Sequence, residues 1–135
     1  MNVVDSSCWL EFAADNSSIG ISVASIIASR SELLVPTITL FEVYKKASAM
    51  QGEQYAQQFI EKMLCGQVVL LDVELSIKAA DVSRTYQLAL ADSIIYATAS
   101  QYNAVLWTAD KHFKELTGVR SFDKTPNRTL TVLPQ

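Results

Sequence analysis

Four acidic side chains stand where predicted strands and helices meet, and together they have the chemistry of a divalent-cation site. Asp5 follows the short apolar segment 2–4, Glu42 falls in the first turns of a predicted helix, and Asp92 and Asp110 stand at predicted helix starts. In a parallel sheet with helical crossovers, helix starts lie at the edge where strands end, which is where such folds bind ligands. We therefore expect these four carboxylates to meet at one edge of a sheet.

A cluster of four carboxylates is unfavourable unless a cation lies among them. Like charges a few ångströms apart repel each other and raise each other's pKa. Ligand sets made only of oxygen favour Mg²⁺ or Mn²⁺ over zinc. Such an ion can orient a phosphodiester, lower the pKa of a bound water and neutralise charge on the leaving oxygen. The expected chemistry is metal-dependent hydrolysis at phosphorus.

Each acid also has a purely structural interpretation. Aspartate is a favoured N-cap, so Asp92 and Asp110 would each be ordinary helix caps. Glu42 would pair with Lys45 or Lys46 on its own helix, an exposed interaction worth about 0.3–0.5 kcal/mol. For a single acid these roles are the more common ones, and the convergence of all four is what favours a site.

Composition limits the classes of protein. The 135 residues, half of them hydrophobic, predict one domain over residues 1–135. A net charge of −3 and a pI near 5.0 exclude a general basic field for nucleic acid. The single histidine, His112, argues against imidazole metal sites and Ser–His catalysis, and Cys8 and Cys65 are expected to be reduced thiols on apolar helical faces. The absence of a basic leader and of an apolar run near the about 20 residues that span a bilayer predicts a cytoplasmic protein.

Strand-like and helix-like patterns alternate along the chain. We expect strands at 2–4, 33–35, 68–73 and 104–107, a last clear helix from Asp110 to 116–118, and an edge strand at 129–133. Thr37 or Thr39 is expected to cap the helix that carries Glu42. This alternation predicts an α/β sandwich around a largely parallel sheet with right-handed crossovers.

Four short segments that contain the acids follow one another along nearly the whole chain. They are VVDSS at 3–7, TLFEVY at 39–44, LALADSIIYATA at 88–99 and LWTADKHF at 106–113. In this order they resemble the PIN-domain ribonucleases, particularly VapC-type toxin subunits. The resemblance implies a PIN-like three-layer α/β/α sandwich and a Mg²⁺- or Mn²⁺-dependent endoribonuclease that cleaves RNA, forms a homodimer and is inhibited by a cognate antitoxin.

The resemblance also assigns roles to residues of this chain. It implies that Asp5, Glu42, Asp92 and Asp110 are the catalytic and metal-binding acids, with Ser7 and Thr108 as supporting hydroxyls. Gln87 stands where many members have glycine, and Lys111 and His112 stand where some members have a further acid, which leaves open whether one or two metal ions bind. Several cations flank the acids in sequence and are candidates for contacts with RNA phosphates. They are Lys45, Lys46, Lys111, His112 and Lys114.

Two other functions compete with the nuclease. A phosphoacceptor signalling domain would have an acidic pair after its first strand, and a related phosphatase would have D-x-D, whereas this chain has Asp5-Ser6-Ser7. A catalytically silent PIN-like interaction module would be natural if an acid had been lost, but all four are present. In either PIN-like case we expect the chain to bind a second copy of itself or a partner protein. Its apolar helical faces, which include Tyr55, Phe59 and Met63, have more apolar surface than one thin sheet needs, and an exposed surplus tends to become an interface.

Overall fold

The fold alternates strands with helices. A computed structural model describes residues 1–14, 17–113 and 115–123. The strands are β1 (Asn2–Val4), β2 (Leu33–Pro36), β3 (Gln67–Val69), β4 (Val105–Thr108) and β5 (Val119–Ser121). The helices are α1 (Ser6–Ala13), α2 (Ser18–Ala28), α3 (Thr37–Gln51), α4 (Glu53–Met63), α5 (Val73–Tyr86) and α6 (Leu90–Gln101). Single 3-10 turns lie at Arg30–Glu32 and Lys111–Phe113. None of the described helices is both long and apolar enough to cross a bilayer.

The five strands form one parallel sheet in the order β3-β2-β1-β4-β5. Val3 and Val4 are adjacent on the central strand β1 and belong to different core clusters, because successive side chains of a strand point to opposite faces. One cluster joins the sheet to α5 and α6, and the other joins it to helices α1 to α4. The predicted three-layer α/β/α sandwich with a parallel sheet is confirmed.

The third strand is shorter than the sequence suggested. The apolar run at 68–73 predicted a strand to Val73, but β3 ends at Val69 and α5 begins at Val73. The side chain of Asp72 accepts a hydrogen bond from the backbone N–H of Leu75 at 2.8 Å. This cap starts the helix, and Val73 is left 80% exposed.

The chain after Asp110 also departs from the prediction. Instead of a clear helix to residue 118, it forms the 3-10 turn Lys111–Phe113 and then strand β5, which was not predicted. Gly118, at φ 83°, occupies the left-handed region directly before β5, a conformation that stops a helix and that glycine adopts readily. The edge strand predicted at 129–133 lies outside the described residues.

Two predictions about apolar helical faces are wrong. Phe59 and Met63, expected on a surplus face, are 6% and 0% exposed in the core cluster of α1 to α4, and Tyr55 packs against that cluster. Both cysteines are free thiols, but Cys65 is exposed while Cys8 is buried. Any association surface therefore lies elsewhere on the molecule.

Candidate metal and active site

The strand order brings the four acids to one edge of the sheet. Asp5 directly follows β1, and Asp110 comes two residues after Thr108, the last residue of the neighbouring strand β4. Glu42 lies in α3, which leaves the end of β2 on the other side of β1, and Asp92 lies in the first turn of α6. Adjacent parallel strands end at a common edge, so these side chains are neighbours although they are far apart in sequence.

Asp5 is held in a fixed orientation under the site. Its side chain is the N-cap of α1 and it is 3% exposed. Oδ1 accepts hydrogen bonds from Ser7 Oγ at 2.6 Å and from the backbone N–H of Cys8 at 3.2 Å, and Oδ2 accepts one from Thr108 Oγ1 at 2.6 Å. Burial raises the pKa of Asp5 above its ordinary value, and the hydrogen bonds from Ser7, Thr108 and Cys8 oppose that shift.

The two predicted supporting hydroxyls connect the ends of β1 and β4. Ser7 Oγ accepts a hydrogen bond from the backbone N–H of Ala109 at 3.0 Å while it donates to Asp5. Thr108 Oγ1 accepts one from the backbone N–H of Asp110 at 2.8 Å and donates to the other Asp5 oxygen. Each hydroxyl thus orients Asp5 and holds the loop that carries Asp110.

Glu42 faces α1 instead of a lysine of its own helix. Ser6 Oγ donates a hydrogen bond to Glu42 Oε1 at 2.5 Å. Within the described residues, Glu42 forms no ion pair with Lys45 or Lys46, and Lys45 Nζ lies 5.9 Å from the centre of the Phe41 ring. Ser6 was not among the predicted site residues, although its position next to Ser7 at the start of α1 was a signal that could have included it.

Asp92 and Asp110 meet at the open side of the site, and His112 joins them. One possible ligand atom from each of these three residues lies within 4.8 Å of the other two. Nδ1 of His112 is 3.1 Å from Asp110 Oδ1 and 3.6 Å from Asp92 Oδ2. The sequence argument against imidazole chemistry stays a prediction, although the structure places this imidazole beside two of the acids.

The helix-cap interpretation fits one of these two acids and not the other. Ala89 is the N-cap of α6, so Asp92 lies inside the first turn and does not hold the cap position. Asp110 Oδ1 accepts a hydrogen bond from the backbone N–H of His112 at 2.9 Å, which is a capping contact for the 3-10 turn. The cap predicted at Thr37 or Thr39 does not form either. Pro36 is the N-cap of α3, and Thr39 Oγ1 donates a hydrogen bond to the Pro36 carbonyl.

The pKa of Asp92 responds to its burial and to the charges around it. Burial raises the pKa of Asp92 to about 6, the charge of Asp110 adds to the shift, and Asp5 and Glu42 add smaller contributions, while His112 opposes it. Asp92 and Asp110 belong to the group of close ligand atoms, whereas Asp5 and Glu42 enter only as weaker charge effects on Asp92. The charged form of such a group is unfavourable unless a cation neutralises it. Carboxylate oxygens with one imidazole are a donor set that fits a divalent ion.

Comparisons with known proteins place the fold. A toxin–antitoxin complex from Klebsiella pneumoniae contains a chain that superimposes with a TM-score of 0.74 at 19% identity, over 90% of this chain and 97% of that chain. A sarcin–ricin loop cleaving toxin from Mycobacterium tuberculosis gives 0.68 at 13% identity, over 91% of this chain and 90% of that chain. A DNA-bound VapBC structure from Salmonella typhimurium gives 0.68 at 18% identity, over 90% of this chain and 96% of that chain. A comparison with curated proteins gives no match. The sequence profile of the PIN domain matches residues 3–119, and the chain therefore belongs to the PIN domain family.

Proposed function

We propose that this chain, as a single domain over residues 1–135, is a metal-dependent endoribonuclease and the toxin of a toxin–antitoxin pair. The observation that carries the proposal is the meeting of Asp92 and Asp110 at the carboxyl edge of a PIN-family sheet, where the charges of Asp5 and Glu42 also act on Asp92. Asp92, whose pKa is raised to about 6 by burial and by the other acids, is at the centre of that meeting. The similarity to a toxin that cleaves the sarcin–ricin loop supports RNA as the substrate class.

The proposed catalytic and metal-binding residues are Asp5, Glu42, Asp92 and Asp110. Mg²⁺ or Mn²⁺ is the proposed ion, because carboxylates supply two of the three ligand atoms that lie close together. When bound, the ion lowers the pKa of a water and neutralises charge that develops at the scissile phosphate. Asp92 and Asp110 each offer an oxygen at the open side, and these two oxygens lie within 4.8 Å of each other.

The remaining groups of the site orient these acids. Ser7 and Thr108 fix both oxygens of Asp5, and Ser6 fixes one oxygen of Glu42, so that neither carboxylate has to reorganise during the reaction. Preorganised charge of this kind is effective because the surroundings do not have to be rearranged as the transition state forms. We therefore propose that Ser6 joins Ser7 and Thr108 as a positioning residue.

The acids also repel the substrate, and this repulsion makes RNA binding depend on cations. The chain has a net charge of −3, and the phosphate backbone is itself anionic. Lys45, Lys46 and Lys111 are exposed beside the acids in sequence, and we propose that they contact phosphates. Chelation of the divalent ion should therefore weaken the productive complex with RNA as well as stop hydrolysis.

The decisive experiment compares the wild type with Asp92→Asn on a pool of RNA, with Mg²⁺ or Mn²⁺ and with EDTA. Asparagine preserves size and much of the hydrogen bonding but removes one negative ligand, so the rate should fall by roughly 10² or more. Asp81→Asn is the matched control, because Asp81 is an exposed acid on α5 that pairs with Arg84. The control should cleave like the wild type, and all three proteins should be compared at matched folded fractions.

Each outcome of this comparison has a defined meaning. Equal cleavage by the wild type and Asp92→Asn excludes a catalytic role for Asp92. Cleavage that survives EDTA excludes metal dependence. If no protein cleaves any RNA in the pool while Mg²⁺ and Mn²⁺ still bind, either the chain is a catalytically silent interaction module or the pool lacks its target RNA.

The proposed partners are an antitoxin and a second copy of the chain. The antitoxin follows from the toxin–antitoxin complexes among the similar structures. The homodimer is proposed on the surface of α5 and the start of α6, where Val73, Ile77 and Leu90 are 80%, 62% and 75% exposed beside a groove of about 410 Å³. Co-purification with the product of the adjacent upstream gene tests the antitoxin, and sedimentation at micromolar concentration tests the homodimer. A cytoplasmic location stays a prediction.

A further inference from the structure

His112 stands at the open side of the acidic site, in contact with two of its carboxylates. Its Nδ1 lies 3.1 Å from Asp110 Oδ1 and 3.6 Å from Asp92 Oδ2. Asp92 belongs to α6, eighteen residues before Asp110, so two separate elements converge on one imidazole. This arrangement places a nitrogen atom with ligand chemistry among the carboxylate oxygens.

The backbone that carries His112 is anchored on both sides. The His112 backbone N–H donates to Asp110 Oδ1 at 2.9 Å, and the next residue, Phe113, is 0% exposed in the core cluster of α5 and α6. Asp110 is itself held by Thr108, through the hydrogen bond to its own backbone N–H. The imidazole is 71% exposed, but these contacts hold the backbone that carries it, and its Nδ1 lies within hydrogen-bonding distance of Asp110 Oδ1.

We infer that His112 supplies a nitrogen ligand to the divalent ion held by Asp92 and Asp110, and that the site consequently prefers Mn²⁺ to Mg²⁺. The inference rests on the proposed metal site and adds a ligand to it. Mg²⁺ is a hard ion that takes oxygen ligands almost exclusively, so an imidazole contributes little to its binding. Imidazole binds first-row transition ions more readily, so the same nitrogen adds affinity for Mn²⁺.

A surface ion pair is the competing interpretation, and it makes different predictions. If His112 only pairs with the two carboxylates, its imidazole competes with the ion for the same oxygens. Removing the side chain would then strengthen the binding of Mn²⁺ and Mg²⁺ alike. If His112 is a ligand, removing it weakens Mn²⁺ binding and leaves Mg²⁺ binding nearly unchanged. The ratio of the two affinities separates the interpretations without any measurement of catalysis.

The test measures Mn²⁺ and Mg²⁺ binding to the metal-free protein by calorimetry at pH 7.5, together with pulsed electron paramagnetic resonance of bound Mn²⁺. Two variants are informative. His112→Asn retains a polar group that can donate to Asp110 but offers no nitrogen lone pair, and His112→Asp replaces the nitrogen by an oxygen donor. Melting temperatures in EDTA establish that both variants fold.

The wild type should show ¹⁴N couplings from a coordinated imidazole, and both variants should lose them. His112→Asn should bind Mn²⁺ about tenfold or more weakly, as expected when a ligand is lost, and its Mg²⁺ affinity should change less than threefold. His112→Asp should shift the preference toward Mg²⁺. Bound Mn²⁺ without ¹⁴N coupling in the wild type, or an equal change for both ions in His112→Asn, would overturn the inference.

These results are distinguishable from a failure of the proposed function. If the wild type binds neither ion, the metal site itself is wrong and His112 has nothing to coordinate. If both ions bind and Asp92→Asn abolishes binding while His112→Asn does not alter the preference, the proposed metal site stands and the nitrogen ligand is excluded.

Discussion

In the absence of metal, Asp92→Asn should make the protein more stable at neutral pH, although the same substitution should lower activity when metal is present. The folded-state pKa of Asp92 is raised to about 6 from an ordinary value of 3.8, first by burial and then by the charge of Asp110. A raised pKa means that the folded protein binds this proton more tightly than the unfolded chain. The charged carboxylate therefore lowers the free energy of unfolding, and a neutral amide removes that penalty.

The size of the effect follows from the shift. About 2.2 pKa units at about 1.36 kcal/mol each set an upper bound of about 3 kcal/mol. The Asp92 side chain is 18% exposed at the rim of an open site, and solvent screening reduces this to about 1–2 kcal/mol. Asp92 also lies in the first turn of α6, where a negative charge gains about 0.3–1 kcal/mol from the helix dipole, and asparagine loses that gain. The net expectation is about 1 kcal/mol, or a rise of about 3–5 °C in melting temperature for a domain of this size.

The difference in stability between the wild type and Asp92→Asn should depend on pH. Below about pH 4 the Asp92 carboxyl of the wild type is protonated in both the folded and the unfolded state. The wild type and Asp92→Asn should then have the same melting temperature. Between pH 4 and 6 the wild type should lose stability relative to Asp92→Asn, and above pH 6 the difference should stay constant. Thermal melts in EDTA across this range measure the difference. A variant that is less stable than the wild type at pH 7.5, or a difference that does not vary with pH, would refute the electrostatic argument.

Three further predictions concern residues outside the metal ligands. Thr108→Val should destabilise the protein by about 1–3 kcal/mol, measured by urea unfolding, because it leaves one oxygen of the buried Asp5 carboxylate without its donor; a change below 0.5 kcal/mol would contradict this. Gly20→Ala should also destabilise by about 1–3 kcal/mol in the same assay, because the added Cβ would lie 2.5 Å from the backbone oxygen of Glu11; unchanged unfolding would show that α1 and α2 can separate freely. Ile77→Lys should convert the proposed homodimer to monomer in sedimentation without lowering the melting temperature by more than about 2 °C, since Ile77 is 62% exposed; a dimer that persists would place the interface elsewhere.

The sequence by itself determined the layer architecture and the identity of the acids that meet. Buried-type runs such as 2–4 and 33–35, alternating with amphipathic segments, are enough for a parallel sheet between helical layers, because only that arrangement covers both faces of such strands. The rule that parallel strands end at a common edge then predicts that Asp5 and Asp110 lie at the same edge. These inferences depend on local periodicity and on a general rule of α/β topology, which a single sequence contains.

Tertiary structure decided the details that local patterns leave open. The apolar pattern at 68–73 fits either one long strand or a short strand followed by a helix start. The hydrogen bond from the Leu75 backbone N–H to the Asp72 side chain selects the second. Whether Phe59 is buried in the core or exposed at an interface depends on which helices pack around it. Its helical spacing in the sequence fits both cases.

The same reason explains why Ser6 was missed and why His112 was expected only as a flanking cation. Ser6 reaches Glu42 across 36 positions, and His112 meets Asp92 across 20. Contacts of this length are set by how α1, α3, α6 and the turn after β4 pack on one sheet. No periodicity along the chain encodes which side chains will face each other there, because that depends on the relative placement of elements that are separate in sequence.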